Sequence, residues 1–244
     1  EFIFPYGLYA IASGFLLNVS YLFYSHALEK EDASHVVPLY ISYAVFVLLF
    51  NVLLFGETLT NTQLLSFFII FSGALFLSVE SWDFSSVKWR AGALYMIPAV
   101  LVIAVSITLF NQSLNGLDFV SAFVLDMGGF ALSGLALLLV GPWQKEIIAG
   151  LKAANIRKFT LFLINDTIDL TGHLAYKYAL VLAPAASLVA AINGIQPFYI
   201  LLLGIFFTVF FPKIVKEDIS TKVLIQKILG VIVIALGIVI LELG

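Results

Sequence analysis

Asp166, Asp169, His173 and Lys177 follow one another at steps of three, four and four, the spacing that stacks side chains along one face of a helix. Two carboxylates, an imidazole and an amine on one stripe can bind a polar solute or carry a proton, and Asp and His can also ligate a metal that activates water. The stripe lies inside an apolar run, where ionisable groups are costly and read as functional by default. At mid-bilayer the two aspartates cost roughly 5 to 7 kcal/mol, against about 3 to 7 kcal/mol from the eleven Leu, Ile, Val and Phe residues between Phe159 and Leu182. Such a helix barely inserts alone. The stripe must face other helices or water, with His173 or Lys177 neutralising the carboxylates, and a static network locking the helix to its neighbours is the structural alternative. Lys177 has a further option, to snorkel to the interface.

Other polar groups sit in apolar surroundings. Asp126 precedes Gly128 and Gly129, and Gly129 with Ser133 forms a small-x-x-x-small packing face that lets a neighbouring backbone approach. Asn193 and Gln196 lie one turn apart before Pro197, a helix kink that frees carbonyls; with Tyr199 they are hydrogen-bonding candidates. Tyr40 and Tyr43 occupy the matching face of an earlier span, and Asn111-Gln112 closes another. An aromatic belt accounts for the tyrosines equally well. Glu57, after Gly56, reads as a cap on the following helix. His26 and His35 flank an acidic loop and read as solvated. Only one histidine lies deep in an apolar run, whereas catalytic zinc usually takes two or three nitrogen ligands, so a metal hydrolase is the lesser reading. No metal and no cofactor is implied.

These residues need a membrane to position them. The 244 residues are 62% hydrophobic and 11% charged, with a mean hydropathy of +1.09, too few charges to solubilise a water-facing surface. The net charge of −3 excludes a basic nucleic-acid footprint, and the absence of cysteine excludes disulfides and thiolate chemistry. No nucleotide-binding motif is present. The opening Glu1 to Pro5 has neither methionine nor a basic n-region, which reads as a chain without its natural start.

A ruler of about 20 apolar residues finds eight windows: 2–28, 36–55, 64–79, 91–110, 119–141, 159–182, 185–211 and 223–243. The expected fold is all-α, polytopic, with eight transmembrane helices; the runs are too long and continuous for a β-barrel. Residues 144–158 form a basic, partly amphipathic connector that reads as interfacial. Loop Lys and Arg divide eleven to one between the two sides, with only Lys177 on the poorer side, which would put both ends of the chain away from the cytoplasm.

The first three spans align with the last three. Tyr24 to Leu28 matches Tyr176 to Leu180, Tyr43 to Phe46 matches Gln196 to Tyr199, and Ser66 and Gly73 match Gly230 and Gly237. An offset of five helices inverts the second copy in the bilayer. Residues 1–80 then form a partial repeat of three helices and residues 91–244 a complete repeat of five, an architecture common among secondary transporters.

The segments Ala27-Leu28 to Pro38, Leu54 to Gln63 and Gln196-Pro197-Phe198 resemble the EamA family of the drug/metabolite transporter superfamily. Asn165-Asp166, Tyr178-Ala179-Leu180, Asn193 to Pro197 and Phe211-Pro212 to Glu217-Asp218 are similar to a bacterial and archaeal sub-group. The resemblance implies ten helices in two inverted repeats, of which this chain looks like helices 3 to 10. It implies a secondary transporter of a small polar metabolite, with the site between the repeats, in a prokaryotic plasma membrane, and it draws both termini in the cytoplasm, against the loop charges. The expected substrate or coupling residues are Asp126, Asn165, Asp166, Asp169, His173, Asn193, Gln196, Tyr199, Asn111 and Tyr43. The expected partners are the lipid bilayer and a small molecule. An intramembrane metal hydrolase and a non-transporting assembly subunit are the alternatives.

Overall fold

The computed structural model describes residues 3–30, 36, 39–78, 91–196, 199, 202–203, 205–206, 210 and 221–243. The described residues are helical with short connections, and no strand occurs among them. In chain order the helices are α1 (Tyr6–Leu28), α2 (Tyr43–Phe55), α3 (Asn61–Ser78), α4 (Ala91–Ser113), α5 (Phe119–Leu137), α6 (Gly141–Ala153), α7 (Ile156–Leu182), α8 (Ala186–Ile192, continued by a 3-10 turn over Asn193–Ile195) and α9 (Thr221–Leu243). The chain is an all-α polytopic membrane protein. Each apolar window overlaps one of these helices, and the basic connector overlaps α6. Tyr6–Leu28, Leu94–Ser113, Phe119–Leu137 and Leu224–Leu241 are long and apolar enough to cross a membrane, while Leu39–Phe55, Asn61–Phe76 and Ala186–Ile195 are shorter. α7 has the length, 27 residues, but its aspartates and its basic residues make it too polar for that class.

Local chemistry sets the helix ends. Gly56 takes φ 64° and closes α2: its amide and that of Glu57 return to the carbonyls of Val52 and Asn51, a left-handed cap that glycine adopts without penalty. α3 then opens with a reciprocal capping box, in which Gln63 N–H donates to Thr60 Oγ1 at 3.2 Å and Thr60 N–H donates to Gln63 Oε1 at 3.0 Å. Glu57 is therefore not the cap expected of it; its Oε1 is buried without a hydrogen-bond partner among the described residues, and burial raises its pKa above the usual glutamate range. Asp118 caps α5 by accepting from Ser121 N–H at 3.0 Å, and Asn155 caps α7 by accepting from Lys158 N–H at 2.9 Å.

The chain forms two compact units, Glu1–Tyr21 with Val105–Ala183, and Leu22–Ala104 with Pro184–Gly244. The boundary falls within α1 and α4, so each unit draws on both halves of the sequence.

In the second unit α3 and α9 pack antiparallel. A Cβ on Gly73 would lie 2.9 Å from Ile234 Cγ1, a Cβ on Gly237 would lie 2.6 Å from Ile70 Cγ1, and Gln226 Nε2 donates to the Phe76 carbonyl at 2.9 Å. Small residues thus bring the helices close enough to bury Ile70, Ala74 and Ile234 fully. With Gly73 matched to Gly237 in the sequence alignment, and hence Ile70 to Ile234, the two glycine contacts exchange with each other. α8, buried from Ala186 to Ala191, meets α2 through Tyr43, whose hydroxyl donates to the Ala190 carbonyl at 3.4 Å and accepts from Asn193 Nδ2 at 3.0 Å.

Candidate functional site

α5 buries Ala122, Asp126, Gly129 and Ser133, spaced four, three and four and therefore on one face. α1 lies directly on that face. A Cβ on Gly14 would come within 1.7 Å of the Asp126 carbonyl oxygen, and one on Gly129 within 1.9 Å of the Ile11 carbonyl oxygen, so the backbones touch and neither position has room for a side chain. Gly128 has open space around it; of the glycine pair, Gly129 alone makes the contact. Because Gly14 is held there, its neighbour Ser13 reaches the surroundings of the Asp126 side chain.

α7 supplies the counter-charge. Lys177 Nζ lies 3.0 Å from Asp126 Oδ1, with side-chain exposures of 1% and 0%, and donates to Ser13 Oγ, also at 3.0 Å. Its remaining side is covered by α4, whose Phe110 ring has its centroid 3.9 Å from Nζ, a cation–π contact strengthened by the absence of water. One turn before Phe110, Ser106 Oγ donates to the Ser13 carbonyl at 2.8 Å and lies 3.3 Å from Ser13 Oγ. The donors run in one consistent order: Lys177 to Ser13, Ser13 hydroxyl to Ser106, Ser106 hydroxyl back to the Ser13 carbonyl. The ammonium is fully compensated, as a desolvated charge must be.

The acid is not. Asp126 Oδ2 is buried without a hydrogen-bond partner among the described residues, and so is His173 Nε2. His173 sits one turn before Lys177 on α7, near enough for the charges of Lys177 and Asp126 to act on it. A buried carboxylate with one committed and one idle oxygen can accept a proton, a cation or a hydrogen-bond donor, each competing with the ammonium.

The α7 stripe therefore divides. Lys177 does not snorkel and does not neutralise Asp166 or Asp169; it turns inward to Asp126. Asn165, Asp166 and Asp169 are exposed, as is every residue from 156 to 172. Asn193 and Tyr43 are hydrogen-bonded to each other in the second unit, where the Tyr24, Tyr40 and Tyr43 rings follow at centroid distances of 4.7 and 5.4 Å. Gln196 is exposed, Tyr199 is 56% exposed and Asn111 is half-buried; the kink expected at Pro197, like His35, lies outside the described residues. His26 Nδ1 lies 2.8 Å from the Leu22 carbonyl and its ring stacks on Tyr95 at 5.8 Å. Among the described residues no three His, Asp or Glu side chains converge as a metal site would require. Sequence reasoning missed Ser13, Ser106 and Phe110, which lie in continuous apolar helices and carry no local signal beyond Gly14 beside Ser13.

No curated protein matches the chain. The model of the EamA-like transporter family matches residues 3–79, which hold α1, α2 and α3.

Proposed function

We propose that this protein is a secondary transporter of a small polar metabolite working by alternating access, in which Asp126 and Lys177 exchange partners as substrate or coupling ion arrives. The family carries a transporter-type function in general; the specific reading rests on the buried ion pair and its idle Asp126 Oδ2. A pair serving only as a lock gains from having every lone pair and proton satisfied, because each orphan costs about 1 to 3 kcal/mol. Here the cation is saturated and the acid is left open, the arrangement suited to an incoming donor or cation. His173, one turn before Lys177 on the same helix, is a further titratable group of the site, and Asp166 and Asp169 continue its face of α7 as candidates for the approach path.

Two observations support inverted repeats. Ser13 belongs to residues 1–80 while Ser106, Asp126 and Lys177 belong to residues 91–244, so the hydrogen-bonded network around the pair draws on both proposed repeats. The α3 and α9 contact is antiparallel and maps onto itself when the repeats are exchanged. Similar halves that swap conformations give alternating access, and the resemblance to bacterial and archaeal sequences favours a prokaryotic plasma membrane.

The test is a thermal-shift screen of the intact purified protein against amino acids, amines, organic acids and sugar phosphates, followed by flux of each hit in proteoliposomes. The reading expects at least one saturable hit that is also transported. Stoichiometric zinc in the purified protein, or ligands that bind without flux, would overturn it.

A further inference from the structure

We propose that α6 and the first turn of α7 form a binding surface for the headgroups of anionic lipids. α6 has no buried residue, yet it is strongly two-sided: Trp143, Ile147 and Leu151 recur at steps of four, while Lys145 and Lys152, seven apart, share the opposite side, next to Ile148. Leu151 is 71% exposed and the adjoining Ile148 41% exposed, values that water does not favour for an aliphatic stripe and the acyl boundary does. The cationic side continues into Arg157 and Lys158 on α7. Lys145, Lys152, Arg157 and Lys158 against Glu146 leave three net positive charges in 18 residues of a chain whose net charge is −3. All four cations are exposed.

The geometry of an interfacial helix explains the pattern. With its apolar stripe sunk to the depth of the acyl boundary, the lysines on the opposite side carry their ammonium groups at the level of the phosphate layer. Charge complementarity selects the occupant. A neutral bilayer satisfies the apolar stripe and leaves the cations idle, whereas a negative leaflet strengthens the attraction of each cation about fivefold. α6 also links α5, which carries Asp126, to α7, which carries Lys177, so a lipid held here grips the connection between the two helices of the ion pair.

The chain has three tryptophans, Trp82, Trp89 and Trp143. In the full chain carrying Trp82→Phe and Trp89→Phe, Trp143 reports on α6 alone. Its fluorescence is measured in vesicles of neutral phosphatidylcholine containing equal mole fractions of either dibrominated phosphatidylglycerol or dibrominated phosphatidylcholine as quencher. The proposal expects the anionic quencher to bind at least threefold more strongly, with the preference falling to near one in 1 M salt and in the variant Lys145→Gln, Lys152→Gln, Arg157→Gln, Lys158→Gln. Equal quenching by both lipids at low salt would overturn it, as would a preference that survives in the quadruple variant. Absence of quenching by either lipid would take the helix off the bilayer and leave the cations to water or an acidic protein. Loss of the preference on adding soluble glycerol phosphate at equal ionic strength would assign the site to a free anion. The salt arm uses unaltered cations and needs no folding of the quadruple variant.

Discussion

Lys177 of α7 and Asp126 of α5 meet at 3.0 Å with their side chains 1% and 0% exposed. The contact joins residues 51 positions apart, and its geometry depends on a third helix: α1 touches α5 through Gly14 and Gly129, and its Ser13 holds the same ammonium. The charges, the backbone contact and the serine form one structural object, and its parts fail in different ways when changed.

Removing one charge leaves the other buried alone. Lys177→Met and Asp126→Asn are each expected to lower stability by about 3 to 5 kcal/mol. The double change Lys177→Met with Asp126→Asn, which leaves no unpaired ion, should recover most of that loss. Melting curves of the purified protein in one detergent provide the double-mutant cycle, and additive losses would contradict the pairing.

The two glycines of the α1 and α5 contact should tolerate nothing larger. Gly14→Ala and Gly129→Ala place a methyl group against backbone carbonyls and are expected to cost at least about 1 to 3 kcal/mol. Gly128→Ala, in open space, should be neutral or stabilising by up to about 1 kcal/mol through helix propensity. Equal melting shifts for Gly128→Ala and Gly129→Ala would refute the packing.

Matched glycines should behave alike. A methyl on Gly73 meets Ile234 and one on Gly237 meets Ile70, so Gly73→Ala and Gly237→Ala should lower melting temperature by similar amounts. Ile234→Ala, which removes the Cγ1 that meets the first methyl, should lessen the added cost of Gly73→Ala selectively, and Ile70→Ala that of Gly237→Ala. Strongly unequal costs would break the exchange relationship between α3 and α9.

Two carboxylates outside the spans should titrate stability in opposite senses. Hydrogen bonds with Ser121, side chain and then amide, hold Asp118 below its usual value of 3.8. Its contribution is complete above 3.8 and is lost as pH falls through the lowered folded value. Burial raises Glu57 above its usual 4.5, so charging it penalises the fold; stability should increase as pH falls from above the raised value towards 4.5. Asp118→Asn should abolish the first dependence, read as amide-exchange protection at Ser121, and Glu57→Gln the second, read as melting temperature against pH.

Much of this fold was legible because lipid is a demanding solvent. A chain with 11% charged residues has to place its helices in a bilayer, and the spacing of Asp126, Gly129 and Ser133 already marks a packing face. The burial of Lys177 was not legible. A lysine near the end of an apolar helix reads equally as snorkelling, and the choice is made by Ser13 and Phe110, which arrive from helices 164 and 67 positions away in sequence. Glu57 misled for a local reason: Thr60 and Gln63, three apart, carry the capping box, while the glutamate beside the glycine is the more conspicuous residue. The helical stripe from Asp166 to Lys177 was correct as geometry on one helix and silent about where along that helix neighbouring helices begin to cover it.

The most direct measurement of the central claim is uptake into proteoliposomes, per folded molecule, of a compound selected by the thermal-shift screen, compared between wild type and the double variant Asp126→Asn with Lys177→Met. That variant keeps the helices packed while removing both charges. The account predicts loss of uptake by at least about a hundredfold, equivalent to about 2.7 kcal/mol of transition-state free energy, with the melting temperature largely retained. Uptake at the wild-type rate by the neutralised protein would show that the pair is only a structural lock.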